Sequence, residues 1–139
     1  MNKALFATLA LGAAVAFAGS ASAEKLKATL DAKSEVPANA SAGKGTADID
    51  YDAATKKLSW KVTYSGLSGP ATAAHFHGPA DPSKNAGVMV PIPGIATSPA
   101  EGSATLTDAQ ASDLLAGKLY VNIHTAANPG GEIRGQVMK

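Results

Sequence analysis

The chain has no cysteine, so no disulfide braces it even in a compartment that permits one. Packing must carry its stability, with a bound metal as the available supplement. Large aromatics are few, 1 Trp and 3 Phe against 14 Gly and 8 Pro, a balance that suits short strands and many turns. Neither sign of charge dominates: with Lys3 removed, the 12 Lys and Arg come level with 11 Asp and Glu. Without a basic excess to hold phosphate backbones, nucleic acid is not an expected partner. After residue 23 no stretch is apolar enough to enter a membrane, and no internal repeat or second domain is visible.

What is present begins with an export signal. Lys3 gives a short positive start, an apolar run follows from Ala4 to about Ala18, and Ala21-Ser22-Ala23 offers small residues to a signal peptidase. The run falls short of the roughly 20 residues a membrane-spanning helix needs. Cleavage is expected after Ala23, which leaves Glu24–Lys139, the length of one ordinary domain, in the periplasm or outside the cell.

The dominant period along that domain is two. Leu26, Ala28 and Leu30 alternate with polar neighbours, as do Ala47, Ile49 and Tyr51, and then Leu58, Trp60, Val62 and Tyr64. Later Leu119, Val121 and Ile123 alternate, followed by Ile133 and Val137. One apolar face per segment is the mark of half-buried antiparallel strands, and the gaps carry the Gly, Pro, Asn and Asp that turns require. The expectation is an all-β antiparallel Greek-key sandwich or barrel of about seven or eight strands. One segment departs from this period. Thr107-Asp108-Ala109-Gln110 reads as a capping box and Gly117 as a stop, which predicts a short crossover helix from about Asp108 to Ala116. Asn128-Pro129-Gly130-Gly131 reads as a turn in which Gly130 takes the positive φ of type II.

The sharpest chemical feature is Ala74-His75-Phe76-His77-Gly78-Pro79-Ala80. On a strand, His75 and His77 project from one face about 6.5–7 Å apart, while Phe76 turns to the core. The third histidine, His124, also lies opposite its strand's apolar face. A set of three imidazoles suits copper or zinc, with a position left for water or another ligand. The competing reading is three surface histidines bonded to the carbonyls of nearby turns. If Ile123 and Ile133 both face the core, then Asn122, His124, Glu132 and Arg134 share the outer face. Glu132 could then orient an imidazole and Arg134 could attract a small anion, the alternative being an ordinary ion pair.

Other signals carry less. Asp48, Asp50 and Asp52 lack the glycine and distal glutamate of a calcium loop and read as a solvated strand face. Met89, within Val88-Met89-Val90, reads as core rather than as a soft copper ligand. No Gly-x-Ser-x-Gly elbow frames a nucleophile.

Glu35-Val36-Pro37, the His75–Ala80 segment, Tyr120-Val121-Asn122-Ile123-His124-Thr125 and Pro129-Gly130-Gly131-Glu132-Ile133-Arg134-Gly135-Gln136 together resemble the CHRD (chordin-type) domain. The resemblance runs from about Leu26 to Val137. That family includes repeats within chordin, an extracellular antagonist of growth factors, and many stand-alone exported bacterial proteins. It implies a compact β fold and no established reaction. His75, His77, Gly130, Gly131 and Arg134 also resemble, more faintly, positions of copper–zinc superoxide dismutases. The cysteine pair and the full histidine complement of that family are missing here.

Three functions follow as expectations. The first is a metal-binding domain, copper before zinc, using His75, His77 and His124. The second is a protein-binding or structural module of the cell envelope whose histidines serve only the fold, with no partner the sequence can name. The third is a single-copper, dismutase-like enzyme with Arg134 guiding the anion.

Overall fold

Alternation of apolar and polar residues becomes alternation of buried and exposed ones along the first three strands, as in Leu26, Ala28 and Leu30 against Lys25, Lys27 and Thr29. The computed structural model describes residues 23–139, so the predicted export signal, Ala23 apart, lies outside the described residues. The elements are β1 (Glu24–Asp31), β2 (Lys44–Asp52), β3 (Lys57–Ser65), β4 (Ala71–His77), β5 (Val88–Pro91), β6 (Ala100–Thr105), α1 (Asp108–Leu115), β7 (Tyr120–Thr125) and β8 (Ile133–Gln136).

The strands form one 8-stranded antiparallel sheet in the order β5-β4-β7-β8-β1-β2-β3-β6. It curls into a nearly closed barrel, the all-β architecture expected from the period of two. Strands β1, β2 and β3 make a meander. The β3–β4 and β6–β7 connections each pass over two strands of the curled sheet, the skip that defines a Greek key. The edges β5 and β6 do not pair, and the chain from Ile92 to Pro99 spans the seam between them. Tyr64 fastens that crossing: its N–H donates to Ser98 Oγ at 3.0 Å and its hydroxyl to the Ile95 carbonyl at 2.5 Å.

Inside the barrel lie Leu30, Leu58, Val62, Phe76, Val121, Ile123 and Ile133, all fully buried. Each such side chain contributes about 1.5–3 kcal/mol, and this is the packing on which a chain without disulfides relies. Trp60 on β3 meets Phe76 on β4 across the interior, ring centroids 5.3 Å apart. Phe76 thus anchors the strand that carries two histidines. Met89 packs against the same core, as its sequence context suggested. Asp48 and Asp50 are exposed on β2.

The helix is capped at both ends. Thr107 accepts from Gln110 N–H while the Gln110 side chain bonds back to the Thr107 N–H. Gly117 (φ 75) ends the helix, its N–H donating to Leu114 O at 3.1 Å and that of Lys118 to Asp113 O at 2.9 Å. These two bonds make a Schellman motif. No helix among the described residues is long and apolar enough to cross a membrane.

Candidate metal centre

The histidine reading depends on whether the strands carrying His75, His77 and His124 are neighbours, and β4 and β7 are paired. In their antiparallel register His75 faces Asn122, His77 faces Tyr120 and Ala73 faces His124. Side chains of His75, His77, Asn122 and His124 therefore share one face, diagonal pairs included. The ligand atoms of the three histidines all lie within 4.8 Å of one another.

Within this cluster the three imidazoles are not equivalent. His75 Nδ1 stands 3.1 Å from His124 Nε2. Two nitrogens bound about 2.0–2.1 Å from one ion are about 2.9 Å apart at a right angle and about 3.3 Å apart in a tetrahedron, so this pair already has chelating separation. His124 is oriented by its other nitrogen, since Nδ1–H donates to the Pro129 carbonyl at 2.8 Å. That bond fixes the tautomer and leaves Nε2 with a lone pair, the arrangement usual for a ligating histidine. His77 is more deeply buried and both of its nitrogens have protein partners: Nδ1 lies 3.0 Å from Ala86 O and Nε2 lies 2.8 Å from the Asn122 side chain. With the proton on Nδ1, facing the backbone carbonyl, the lone pair of a neutral ring sits on Nε2. The atom Nε2 meets is Asn122 Oδ1, an acceptor whose amide Nδ2 is turned to Gly130 O, so a neutral His77 ring donates to only one of its two oxygen partners at a time. To join an ion with the other two, His77 must give up that contact.

Burial, followed by the mutual repulsion of the imidazoles, lowers the pKa of His75. Burial also lowers that of His77, against the opposing pull of its bonds to Ala86 and Asn122. Both rings are thereby held neutral at neutral pH, the form that metal ligation requires.

The other two sequence-predicted residues do not serve the cluster as expected. Glu132 is fully buried and touches no imidazole. Its carboxylate accepts from Ser41 Oγ and Ser68 N–H, both at 2.8 Å, from Thr125 Oγ1 at 2.7 Å, from Asn128 Nδ2 at 3.0 Å and from Ser68 Oγ. Burial pushes its pKa up, but these bonds outweigh it and hold the group at about 2. Glu132 is a structural anchor that ties the β1–β2 and β3–β4 loops to the last hairpin. Arg134 is also buried, so it cannot draw an anion from solvent. Its guanidinium lies 3.5 Å over the Tyr120 ring and donates to Asn85 Oδ1 at 2.9 Å and to the Lys84 carbonyl at 2.6 Å. Glu132 and Arg134 do not pair with each other either.

Both residues are covered by loops: Glu132 by those that carry Ser41 and Ser68, Arg134 by a loop over the outer face of β4, β7 and β8. That last loop, from Gly78 to Gly87, is held by Arg134, by Gln136 Nε2 on Ala80 O at 2.8 Å, and by the Tyr120 hydroxyl on Ala86. The turn before Glu132 is also revised. Gly131 N–H closes it on Asn128 O at 3.0 Å, and the positive φ (127) falls on Gly131, not on Gly130. A Cβ at Gly131 would come within 2.6 Å of Asn122 Nδ2 and would strike Glu35 Oε1, so only glycine fits there.

Glu35 is the residue that sequence reading passed over as a family signature. It is 5% exposed, and its Oε1 has no hydrogen-bond partner. Burial raises its pKa to about 7, against the opposing influence of Arg134 and the Asn122 amide. A glutamate followed by Val36-Pro37 in a loop gave no period by which burial could have been recognised.

The family model of the CHRD domain matches residues 26–137, nearly the whole chain. The chain belongs to the CHRD domain family. The matched span takes in all but the first two residues of the barrel strands and includes all three histidines of this chain. No curated protein and no solved structure matches the chain.

Proposed function

We propose that this CHRD domain is an exported metal-binding protein that holds a transition-metal ion, copper in preference to zinc, between His75, His77 and His124. The observation that carries the reading is the 3.1 Å separation of His75 Nδ1 and His124 Nε2, two ring nitrogens already spaced for one ion. Imidazole ligands suit both metals, and copper stands higher in divalent affinity order. The Pro129 carbonyl orients His124, Phe76 fixes the strand beneath His75, and His77 supplies the third nitrogen when it releases Asn122.

The test is titration of the protein with Cu(II) and, separately, Zn(II), followed by absorption and electron paramagnetic resonance spectroscopy and calorimetry. Equimolar binding is expected, weakened about 100-fold or more by His75→Ala or His124→Ala, and less by His77→Ala. Equally tight binding in the His75→Ala/His124→Ala double variant would remove the site assignment.

A second reading is favoured by the same distances. The 3.1 Å contact also serves as a direct hydrogen bond between His75 and His124, and both nitrogens of His77 lie within hydrogen-bond distance of protein oxygens. On that reading the cluster only fastens β4 to β7 in a structural or protein-binding module. A silent titration with both metals, together with a stability loss of about 1 kcal/mol in His75→Ala, selects it.

A further inference from the structure

Against the Asn128–Gly131 turn lies a cleft of about 250 Å³, walled by Val36, Pro37, Ala127 and Pro129, with Glu35 and Gly131 also in its lining. Apolar walls of this size hold a ligand of the volume of about eight waters, taking roughly 30 Å³ for each. The one acidic group in that lining is the Glu35 carboxyl.

Glu35 presents an unusual combination. Its Oε1 is buried and without a hydrogen-bond partner, in an interior where nearly every buried polar atom has one. The nearest cation, Arg134, does not bond to it. That guanidinium is taken up by Asn85 Oδ1 and by the carbonyls of Asp81, Pro82 and Lys84. Beside Oε1 sits Gly131, where any side chain would collide with that oxygen. The missing Cβ is what lets the carboxyl lie against the turn that lines the cleft. The Asn122 side chain and the Val36 backbone bond to the group, but a buried carboxyl oxygen such as Oε1, with neither an ion pair nor a donor of its own, costs free energy unless something supplies the partner. Its surroundings say what that partner is: a positive donor head for the carboxylate, on a short aliphatic stem for the Val36, Pro37 and Pro129 walls.

We infer that this cleft binds a primary ammonium group carried on an aliphatic chain of about four to six carbons, with Glu35 as its counter-ion. The chemistry is shared by a free alkylamine and by a lysine side chain of another polypeptide. The site adjoins the histidine cluster through Asn122 and Pro129 but contains none of its three imidazoles, and it does not depend on the metal reading.

The experiment is a titration of ¹⁵N-labelled protein with n-butylammonium chloride, in the presence of a chelator, read by the amide shifts of Asn39, Gly130 and Gly131. Saturable shifts at those residues are expected, against a sodium chloride control. Two comparisons are decisive. Glu35→Gln, close to isosteric, should weaken the response about tenfold or more, because a charged hydrogen bond is lost. n-Butanol, which keeps the stem and loses the charge, should bind the unaltered protein correspondingly weakly, and this arm stands whether or not the variant folds. Absence of saturation, or saturation by n-butanol equal to that by the ammonium, overturns the inference. A lysine-containing peptide that shifts the same amides identifies the source as a polypeptide side chain. If n-butylammonium saturates and the peptide does not, the ligand is a free amine.

Discussion

The rings of His77 and Tyr120 lie face to face, centroids 4.8 Å apart and planes within 6° of parallel. One residue locks both. Ala86 O accepts from His77 Nδ1 at 3.0 Å and from the Tyr120 hydroxyl at 3.2 Å, while Ala86 N–H donates to that hydroxyl at 3.1 Å. Stacking, the loop and the histidine tautomer are therefore one mechanical unit.

Tyr120→Phe keeps the ring and removes two hydrogen bonds, so it should cost about 1–2 kcal/mol. Tyr120→Leu should cost more, because the contacts with His77 and the Arg134 guanidinium go as well. Urea unfolding midpoints measure both. Coincident curves for Tyr120→Phe and wild type would mean that the Ala86 anchor is idle.

Glu132 sets an acid limit. Its folded pKa, about 2, lies below the ordinary 4.5, so its stabilisation is present above 4.5 and is lost as pH falls toward 2. Glu132→Gln replaces an acceptor-only group facing hydroxyl and N–H donors with one that is itself half donor. The variant should lose about 2 kcal/mol or more at neutral pH. Its stability should also fall less steeply than that of wild type between pH 4.5 and 2. Parallel acid profiles would contradict this assignment.

Glu35 works in the opposite sense. Its pKa is raised to about 7, so its contribution is fully present below 4.5 and is lost as pH rises through 7. His75 and His77, with lowered pKa values, gain stability as pH rises through their ordinary 6.5. The quantity to measure is therefore the difference between Glu35→Gln and wild type. It should grow in favour of the variant from about pH 5 to about pH 8 in denaturant titrations, and a constant difference would refute the shift.

Gly102 on β6 faces the Trp60 indole, and a Cβ there would sit 2.7 Å from Cζ2 and 2.9 Å from Cε2. The ring is braced by Phe76 and cannot withdraw freely. Gly102→Ala should destabilise the barrel by about 1–3 kcal/mol through overpacking. Gly69→Ala, at a glycine with nothing within 4 Å, is the control and should stay within about 0.5 kcal/mol.

The barrel was legible because its signals are local. Leu58, Trp60 and Val62 alternate within one strand, and Thr107 with Gln110 caps one helix. The histidine pair was legible for the same reason, being two residues apart on β4. That His124 joins it depends on the pairing of β4 with β7, which no sequence period encodes. Glu132 and Arg134 were misplaced because alternation reports which residues avoid the core, not whether a loop covers them afterwards. The coil from Gly78 to Gly87 encloses Arg134, and the loops carrying Ser41 and Ser68 enclose Glu132. The positive φ went to Gly131 rather than Gly130 because the deciding neighbours, Glu35 and Asn122, are far away in the chain.

The 4-residue strand β8 has a consequence for the order in which the domain can be completed. It is the last strand of the fold, and it joins β7 to β1, the first. Its Arg134 and Gln136 are also what hold the loop over His77 in place. During synthesis all three histidines and the loop over His77 are made before Arg134 and Gln136, which fasten that loop. The imidazole cluster can therefore reach its final surroundings only after the domain's closing segment has left the ribosome. A chain ended soon after His124 would carry all three histidines and the loop, but not the Arg134 and Gln136 bonds that hold that loop over His77.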